Sequence, residues 1–84
     1  MNNKILVNII VPSIESSFNV YIPINKKIGT IKKCILKCIG ELSDGYFEYE
    51  DKVIILDRDT GKEFDNNMYL KDTDIKNGTK LIII

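Results

Sequence analysis

The stretch that decides the fold is Ile28–Leu42, which reads Ile-Gly-Thr-Ile-Lys-Lys-Cys-Ile-Leu-Lys-Cys-Ile-Gly-Glu-Leu. It alone has a sustained helical period, since at about 100° per residue its apolar side chains recur within one broad stripe. The stripe holds Ile31, Cys34, Ile35, Cys38, Ile39 and Leu42, and it leaves out Lys32, Lys33, Lys37 and Gly40. Thr30 is predicted to cap the amino end through its hydroxyl. Because so short a helix is not stable alone, it must lie on an apolar surface.

The rest of the chain is predicted to supply that surface as β-strands. Branched residues dominate Lys4–Val11, and polar and apolar residues alternate along Ser17–Pro23, so these two strands should form an antiparallel hairpin. Later strands are predicted at Lys52–Leu56, very briefly at Glu63–Phe64, and at Leu81–Ile84. The side chains expected to face the helix are Ile5, Val7, Ile9, Val11, Phe18, Val20, Ile22, Val53, Ile55, Leu81 and Ile83.

Two turn regions separate the later strands. Asp57–Lys62 has the composition of a hairpin turn, in which Gly61 suits a positive φ. Leu70–Gly78 is a compact turn region with two apolar anchors, Leu70 and Ile75. The order is therefore β-β-α-β-(β)-β, an α+β arrangement in which a mixed sheet carries one helix on one face.

Composition limits the class of protein. Eighty-four residues allow one domain, residues 1–84, with one modest core. No apolar run is long enough for a transmembrane helix and no signal peptide is visible, so we expect a cytoplasmic protein without direct membrane insertion. The formal net charge is zero, but residues 1–37 carry +5 and residues 38–84 carry −5. The lysines at the helix start have no arginine or aromatic beside them, which favours a solvated face over a nucleic-acid site.

The sequence offers little for catalysis or metal binding. Cys34 and Cys38 lie one turn apart on one helix, where a disulfide would distort it, and the chain has no histidine. Small buried thiols are therefore favoured over metal or redox roles. The aspartate pairs at i, i+2 lack the spacing of a calcium loop and are interpreted as turn residues. These pairs are Asp57 with Asp59 and Asp72 with Asp74. We expect no enzyme activity, no cofactor and no metal.

The element order, together with Leu70-x-Asp72-x-x-Ile75-x-x-Gly78-x-x-Leu81, resembles the ubiquitin-like β-grasp fold over nearly the whole chain. More particularly, the sequence resembles the YukD/EsaB-like proteins, small bacterial ubiquitin-like components of type VII secretion systems. The features are the length, Val20-x-Ile22-Pro23 at a strand end, and the helix entry Gly29-Thr30-Ile31-Lys32-Lys33. The resemblance implies a cytosolic accessory or regulatory protein that binds other proteins, including the secretion membrane machinery. The acidic aromatic loop Tyr46–Asp51 is a departure with no clear counterpart.

C-terminal conjugation is not expected. A ubiquitin-type modifier is activated at a glycine carboxylate on a flexible tail. Here the chain reads Leu-Ile-Ile-Ile over Leu81–Ile84, with no glycine after Gly78. Because Leu81 and Ile83 are needed in the core, using this segment as a tail would unravel the sheet.

The outer face of the sheet is the candidate site. Alternation places apolar residues there, where a solvated sheet usually shows polar ones. The strand order 2-1-5-3 of a β-grasp fold would set Leu6 and Ile10 beside Ile82 and Ile84, with Ile54 next along. The predicted protein-binding residues are Leu6, Ile10, Ile14, Tyr21, Ile54, Ile82 and Ile84.

By resemblance, Ile54 and Ile84 fall where ubiquitin presents its apolar recognition patch, and Ile14 sits near the contribution of its first hairpin. Strand tilt and lysine stems are the alternative account, since they would cover much of such a face. Two function classes stay open at this point. One is a stand-alone binding module of type VII secretion, and the other is a β-grasp interaction module or homodimer of an unrelated pathway.

Overall fold

The computed structural model describes residues 3–44 and 53–84. The predicted loop Tyr46–Asp51 therefore lies outside the described residues. The elements are β1 (Lys4–Val11), a 3-10 turn (Pro12–Ile14), β2 (Ser16–Pro23), α1 (Ile28–Leu42), β3 (Ile55–Asp57), a second 3-10 turn (Leu70–Asp72) and β4 (Lys80–Ile83). In the part of the chain that is described, no helix is both long and apolar enough to cross a membrane.

The strands form one mixed sheet in the order β2-β1-β4-β3. β1 pairs with β2 in an antiparallel hairpin and with β4 in parallel, and β3 pairs antiparallel with β4. The predicted order is thereby confirmed, with the last strand counted as β4. The short strand predicted at Glu63–Phe64 is only a single bridge between Glu63 and Leu56.

The helix α1 covers the stretch Ile28–Leu42 predicted from the helical period, but the prediction that Thr30 caps it is wrong. The helix begins at Ile28, three residues before the first helical residue that a Thr30 cap would give, and it follows an extended Lys27 with φ −73° and ψ 152°. Lys27 makes no capping hydrogen bond with its side chain. Thr30 is already inside the first turn, where its own N–H donates to the carbonyl of Lys27 at 3.0 Å.

Backbone carbonyls of a neighbouring loop take the place of a capping side chain. The N–H of Ile28 donates to the carbonyl of Met68 at 2.8 Å, and the N–H of Gly29 donates to that of Asn66 at 2.9 Å. Two of the free amides at the helix start are thus satisfied by tertiary contact. A Cβ on Gly29 would stand 3.2 Å from that carbonyl oxygen, so a larger residue would require the loop to shift by a few tenths of an ångström.

The face that α1 buries is turned from the predicted stripe. Its buried residues are Ile28, Ile31, Ile35, Leu36 and Ile39. Cys34 is exposed, Cys38 is half-buried and Leu42 is 55% exposed, so the predicted burial of Cys34 and Leu42 is wrong. On a helical wheel the buried arc lies about 50° from the predicted one. This rotation brings Lys32 to the edge of the sheet contact, where its Nζ donates to the carbonyl of Val53 at 2.7 Å.

The predicted inner face of the sheet is confirmed. Ile5 and Phe18 are half-buried against the core, and the other predicted inward residues are buried. The turn anchors Leu70 and Ile75 are also buried, as predicted, and Phe64 joins them. No polar side chain is buried among residues 3–44 and 53–84. The core between α1 and the sheet is therefore wholly apolar.

The turn predicted at Asp57–Lys62 is confirmed. Gly61 has φ +72°, a value that favours glycine. The Asp57 carboxylate accepts hydrogen bonds from the N–H groups of Asp59 and Thr60 at 2.8 and 3.0 Å. This confirms that Asp57 is a turn residue. β3 itself begins at Ile55, later than predicted.

Candidate protein-binding face

The outer face of the sheet is built by the alternation of side chains along each strand. Residues two apart share a face, so β1 turns Leu6, Asn8 and Ile10 away from α1, while the alternate residues from Val7 to Val11 are buried. Leu6 and Ile10 are half-buried, whereas Tyr21 on β2 is 63% exposed. Among the described residues, the outer face therefore exposes part of its apolar surface to solvent.

Strand register gathers most of this apolar area at one corner. Ile10 lies beside Ile82, and Ile82 lies beside Leu56 on the next strand. Ile84 and Ile54 extend the ladder, because each donates its N–H to the carbonyl of the other, at 3.2 and 2.9 Å. We name this surface the β4 patch, composed of Ile10, Ile54, Leu56, Ile82 and Ile84.

Ile84 is the most accessible member of the β4 patch, at 56% exposed. The other four members are half-buried. None of the five carries a polar group in its side chain, so the patch can form van der Waals contacts without desolvating a charge.

A polar row separates the β4 patch from the rest of the face. Asn8 donates from Nδ2 to Oδ1 of Asn19 at 3.1 Å, and Asn8 lies beside Lys80 on β4. Beyond this row, Leu6 lies opposite Tyr21 on the hairpin. The outer face therefore has two apolar areas of unequal size.

The predicted position of Leu6 beside Ile82 and Ile84 is wrong. β1 and β4 run parallel, so Leu6 lies two residues before the pairing that starts at Asn8. Its carbonyl accepts from the N–H of Gly78 at 2.9 Å, and its N–H donates to Oδ1 of Asn77 at 2.7 Å. Leu6 and Tyr21 thus stand apart from the β4 patch.

Two further residues change the predicted site. Ile14 is half-buried and packs against the core, so the structure does not bring it to the outer face. It lines a groove with Phe18 and Leu42 at the carboxyl end of α1. Leu56 belongs to the β4 patch but was not predicted. The sequence does contain a signal for it, because alternation along the strand puts Leu56 on the same face as Ile54.

The described residues offer this site contact area rather than reactive groups. Among residues 3–44 and 53–84, no three His, Cys, Asp or Glu side chains lie close enough to hold a metal ion. Both cysteines are free thiols. No residue of the β4 patch can transfer a proton or act as a nucleophile.

A hairpin, one helix and a mixed sheet in the order β2-β1-β4-β3 define the ubiquitin-like β-grasp fold, here with an apolar corner on the outer face. No protein-family model matches the sequence, and a search of curated proteins gave no match. Solved structures, however, share the fold over nearly the whole chain.

Two of these structures are separate ubiquitin-like domains. The EccD5 ubiquitin-like domain from Mycobacterium xenopi has a TM-score of 0.78 and is 13% identical, with 99% of this chain and 94% of that one covered. The ubiquitin-like domain of the Mycobacterium tuberculosis type VII secretion system protein ECCD1 has a TM-score of 0.76 and is 12% identical, with 100% and 99% covered. At these identities the likeness confirms the predicted fold.

A third structure is larger. A chain of the MycP5-free ESX-5 inner membrane complex has a TM-score of 0.78 and is 17% identical over 99% of this chain. The present chain spans only 21% of that longer one. The likeness again concerns the fold of one domain.

Proposed function

We propose that this chain is a ubiquitin-like protein-binding component of a bacterial type VII secretion system. In this proposal it acts in the cytoplasm, in an accessory or regulatory role, and its partner is a subunit of the secretion membrane machinery. Support comes from structures with the same fold. They include the ubiquitin-like domain of the type VII secretion system protein ECCD1, the EccD5 ubiquitin-like domain, and a chain of the ESX-5 inner membrane complex.

The observation that carries the binding role is the β4 patch. Five apolar side chains from β1, β3, β4 and the residues next to them adjoin one another on the face opposite α1. Burying their remaining exposed area under a partner would gain about 25 cal/mol per Å² of apolar surface. A solvated sheet face is usually polar, so an apolar corner of this kind indicates a protein contact.

The proposed function is binding, and it does not use Leu81–Ile84 as a flexible tail. Leu81 and Ile83 are each 1% exposed in the core. Ile84 exchanges two backbone hydrogen bonds with Ile54. Drawing Leu81–Ile84 into an activating enzyme would break this ladder and open the core, so these four residues do not suit the role of a flexible tail.

The test is site-specific photo-crosslinking in cells that produce the secretion system. A photoreactive amino acid at Ile84 should give a product that contains a secretion membrane subunit, identified by mass spectrometry. The matched control is Leu42, which is equally exposed at 55% but lies on α1. Equal yields from both positions would contradict the assignment of the face.

A binding measurement with that subunit completes the test. Ile84→Asp should weaken binding by about tenfold or more, because a charge would be buried in an apolar contact. Leu42→Asp should leave the affinity unchanged, and circular dichroism should show both variants folded. If Ile84 instead crosslinks to a protein of another pathway, the binding face stands but the link to secretion is wrong.

A further inference from the structure

The two edges of the sheet are treated differently by the chain. β3 has only three residues, and the chain returns over its free edge. The N–H of Asp57 donates to the carbonyl of Lys62 at 2.9 Å, and the N–H of Phe64 donates to that of Ile55 at 3.4 Å. This edge is therefore short and largely satisfied from within the chain.

β2 forms the opposite edge, and in the described part of the chain it is neither short nor covered by a returning segment. It is eight residues long and carries no charged residue between Ser16 and Pro23. Within residues 3–44 and 53–84, β1 is the only strand that pairs with it. Long edge strands are usually blunted by charges, bulges or a covering segment, because an open edge pairs readily with another strand.

The hydrogen bonds of β1 show which groups of β2 point outward. Leu6 accepts from Gly78, and Asn8 donates to Thr79 at 3.0 Å, so the backbone groups of Leu6 and Asn8 face the β4 side. Backbone groups alternate between the two sides along a strand. Those of Val7 must then face β2.

Val7 lies opposite Val20, so the backbone groups of Val20 are used within the hairpin. The residues on alternate positions of β2 turn their N–H and C=O groups to the open edge. These residues are Ser17, Asn19 and Tyr21.

We propose that the β2 edge pairs with the β2 edge of a second copy of this chain. The two strands run antiparallel about a two-fold axis at Asn19, and the two four-stranded sheets become one sheet of eight strands. Ser17 then lies opposite Tyr21 of the second copy, and Asn19 lies opposite its own counterpart. All of these are hydrogen-bonded pairs, so six backbone hydrogen bonds form across the axis.

Charge favours a second copy as the occupant. Glu15 comes directly before β2, and Lys26 and Lys27 follow soon after it. Antiparallel pairing about Asn19 brings the acidic end of each strand toward the basic end of the other, twice over. The strand between is uncharged, so no like charges meet across the junction. A parallel arrangement would align like charges instead.

The first test uses complementary charges at the axis. Asn19→Lys and Asn19→Asp each place like charges opposite each other, and each should weaken dimerisation about fivefold in sedimentation equilibrium at low salt. An equimolar mixture should recover association at least as strong as that of the wild type. A monomeric wild type at millimolar concentration, or a mixture that stays monomeric, would overturn the proposal.

Matched controls address folding and position. Asn67→Lys and Asn67→Asp add the same charges to an exposed turn residue outside β2, and they should leave dimerisation unchanged. Asn19→Asp keeps an oxygen that can accept from Asn8, so at least one axis variant retains that contact. Equal weakening by the Asn67 variants would also reject the pairing.

The second test is amide hydrogen exchange at two protein concentrations. The N–H groups of Ser17, Asn19 and Tyr21 should gain protection as concentration rises, while those of Phe18 and Val20 stay protected throughout. If these amides gain protection only when an extended peptide is added, the β2 edge binds another strand and the pairing of two copies is wrong. Ile84→Asp should leave the concentration-dependent protection unchanged, because the β4 patch lies on the face of the sheet and not on its edge. The pairing of β2 and the proposed function can therefore be rejected independently of each other.

Discussion

The two faces of the sheet carry the same kinds of branched side chain but differ in how far those side chains are exposed to solvent. On the inner face, Ile9 and Leu81 are at most 1% exposed in the core shared with α1. On the outer face, Ile10 and Ile82 are half-buried and Ile84 is exposed. The same residue type therefore stabilises the fold on one face and offers contact area on the other.

The difference shows that hydrophobicity alone does not locate the core of this chain. One helix can cover only one face of a sheet, so every strand keeps an outer row. In the middle of the outer face that row is polar, with Asn8, Asn19 and Lys80 side by side. Among the described residues, two apolar areas flank this polar row, and the larger of them, the β4 patch, is the informative one.

The largest expected effect contrasts one isoleucine from each region. Ile35 on α1 is 0% exposed, so Ile35→Ala should cost about 2–5 kcal/mol through lost burial and a cavity. Ile84→Ala should cost less than about 0.5 kcal/mol, because its side chain already meets solvent. Urea unfolding with a common m-value would measure both. Similar losses of unfolding free energy in the two variants would mean that Ile84 is buried as deeply as Ile35, and the assignment of an exposed outer corner would be wrong.

A second contrast tests how α1 meets the sheet. Lys32 donates to the carbonyl of Val53, so Lys32→Ala should cost about 1 kcal/mol by leaving that carbonyl without this donor. Lys33 is exposed on the same helix and serves as the matched control. Lys33→Ala should change the free energy of unfolding by less than about 0.5 kcal/mol. Equal changes in the free energy of unfolding for the two variants would contradict the hydrogen bond between Lys32 and Val53.

Most of the fold was predictable because periodicity and turn chemistry are local. Alternation identified the inner residues of each strand, and Gly61 marked a turn that needs a positive φ. The capping of α1 was not predictable in the same way. Its amides bond to the carbonyls of Met68 and Asn66, which are far away in sequence, so Thr30 gave a misleading local signal.

The candidate site was predictable in part for a related reason. Alternation gives the face of a residue, but only register gives its neighbours. The sequence contains no mark of the parallel offset that pairs Ile10 with Ile82 and leaves Leu6 beside Gly78. Likewise, the loop position of Ile14 did not show that it packs against the core.

The smallest expected effect tests the rotation of α1. Cys34 is exposed and Cys38 is half-buried against the core, although the periodicity predicts both as buried. Cys34→Ser should therefore change stability by less than about 0.5 kcal/mol, whereas Cys38→Ser should cost about 1 kcal/mol for placing a hydroxyl beside apolar neighbours. Denaturant unfolding of the two single variants gives these values.

Alkylation of the native protein gives a second measure of the same rotation. Iodoacetamide should modify Cys34 faster than Cys38, since reaction requires access to the thiol. Peptide mass mapping over time would give the two rates, and unfolded protein supplies the reference in which both react alike. In a helix turned back by about 50°, Cys34 would lie against the sheet and Leu36 would face solvent. Slower labelling of Cys34 than of Cys38 would support the turned-back helix. In that orientation Lys32 would point away from the sheet and could not donate to the carbonyl of Val53.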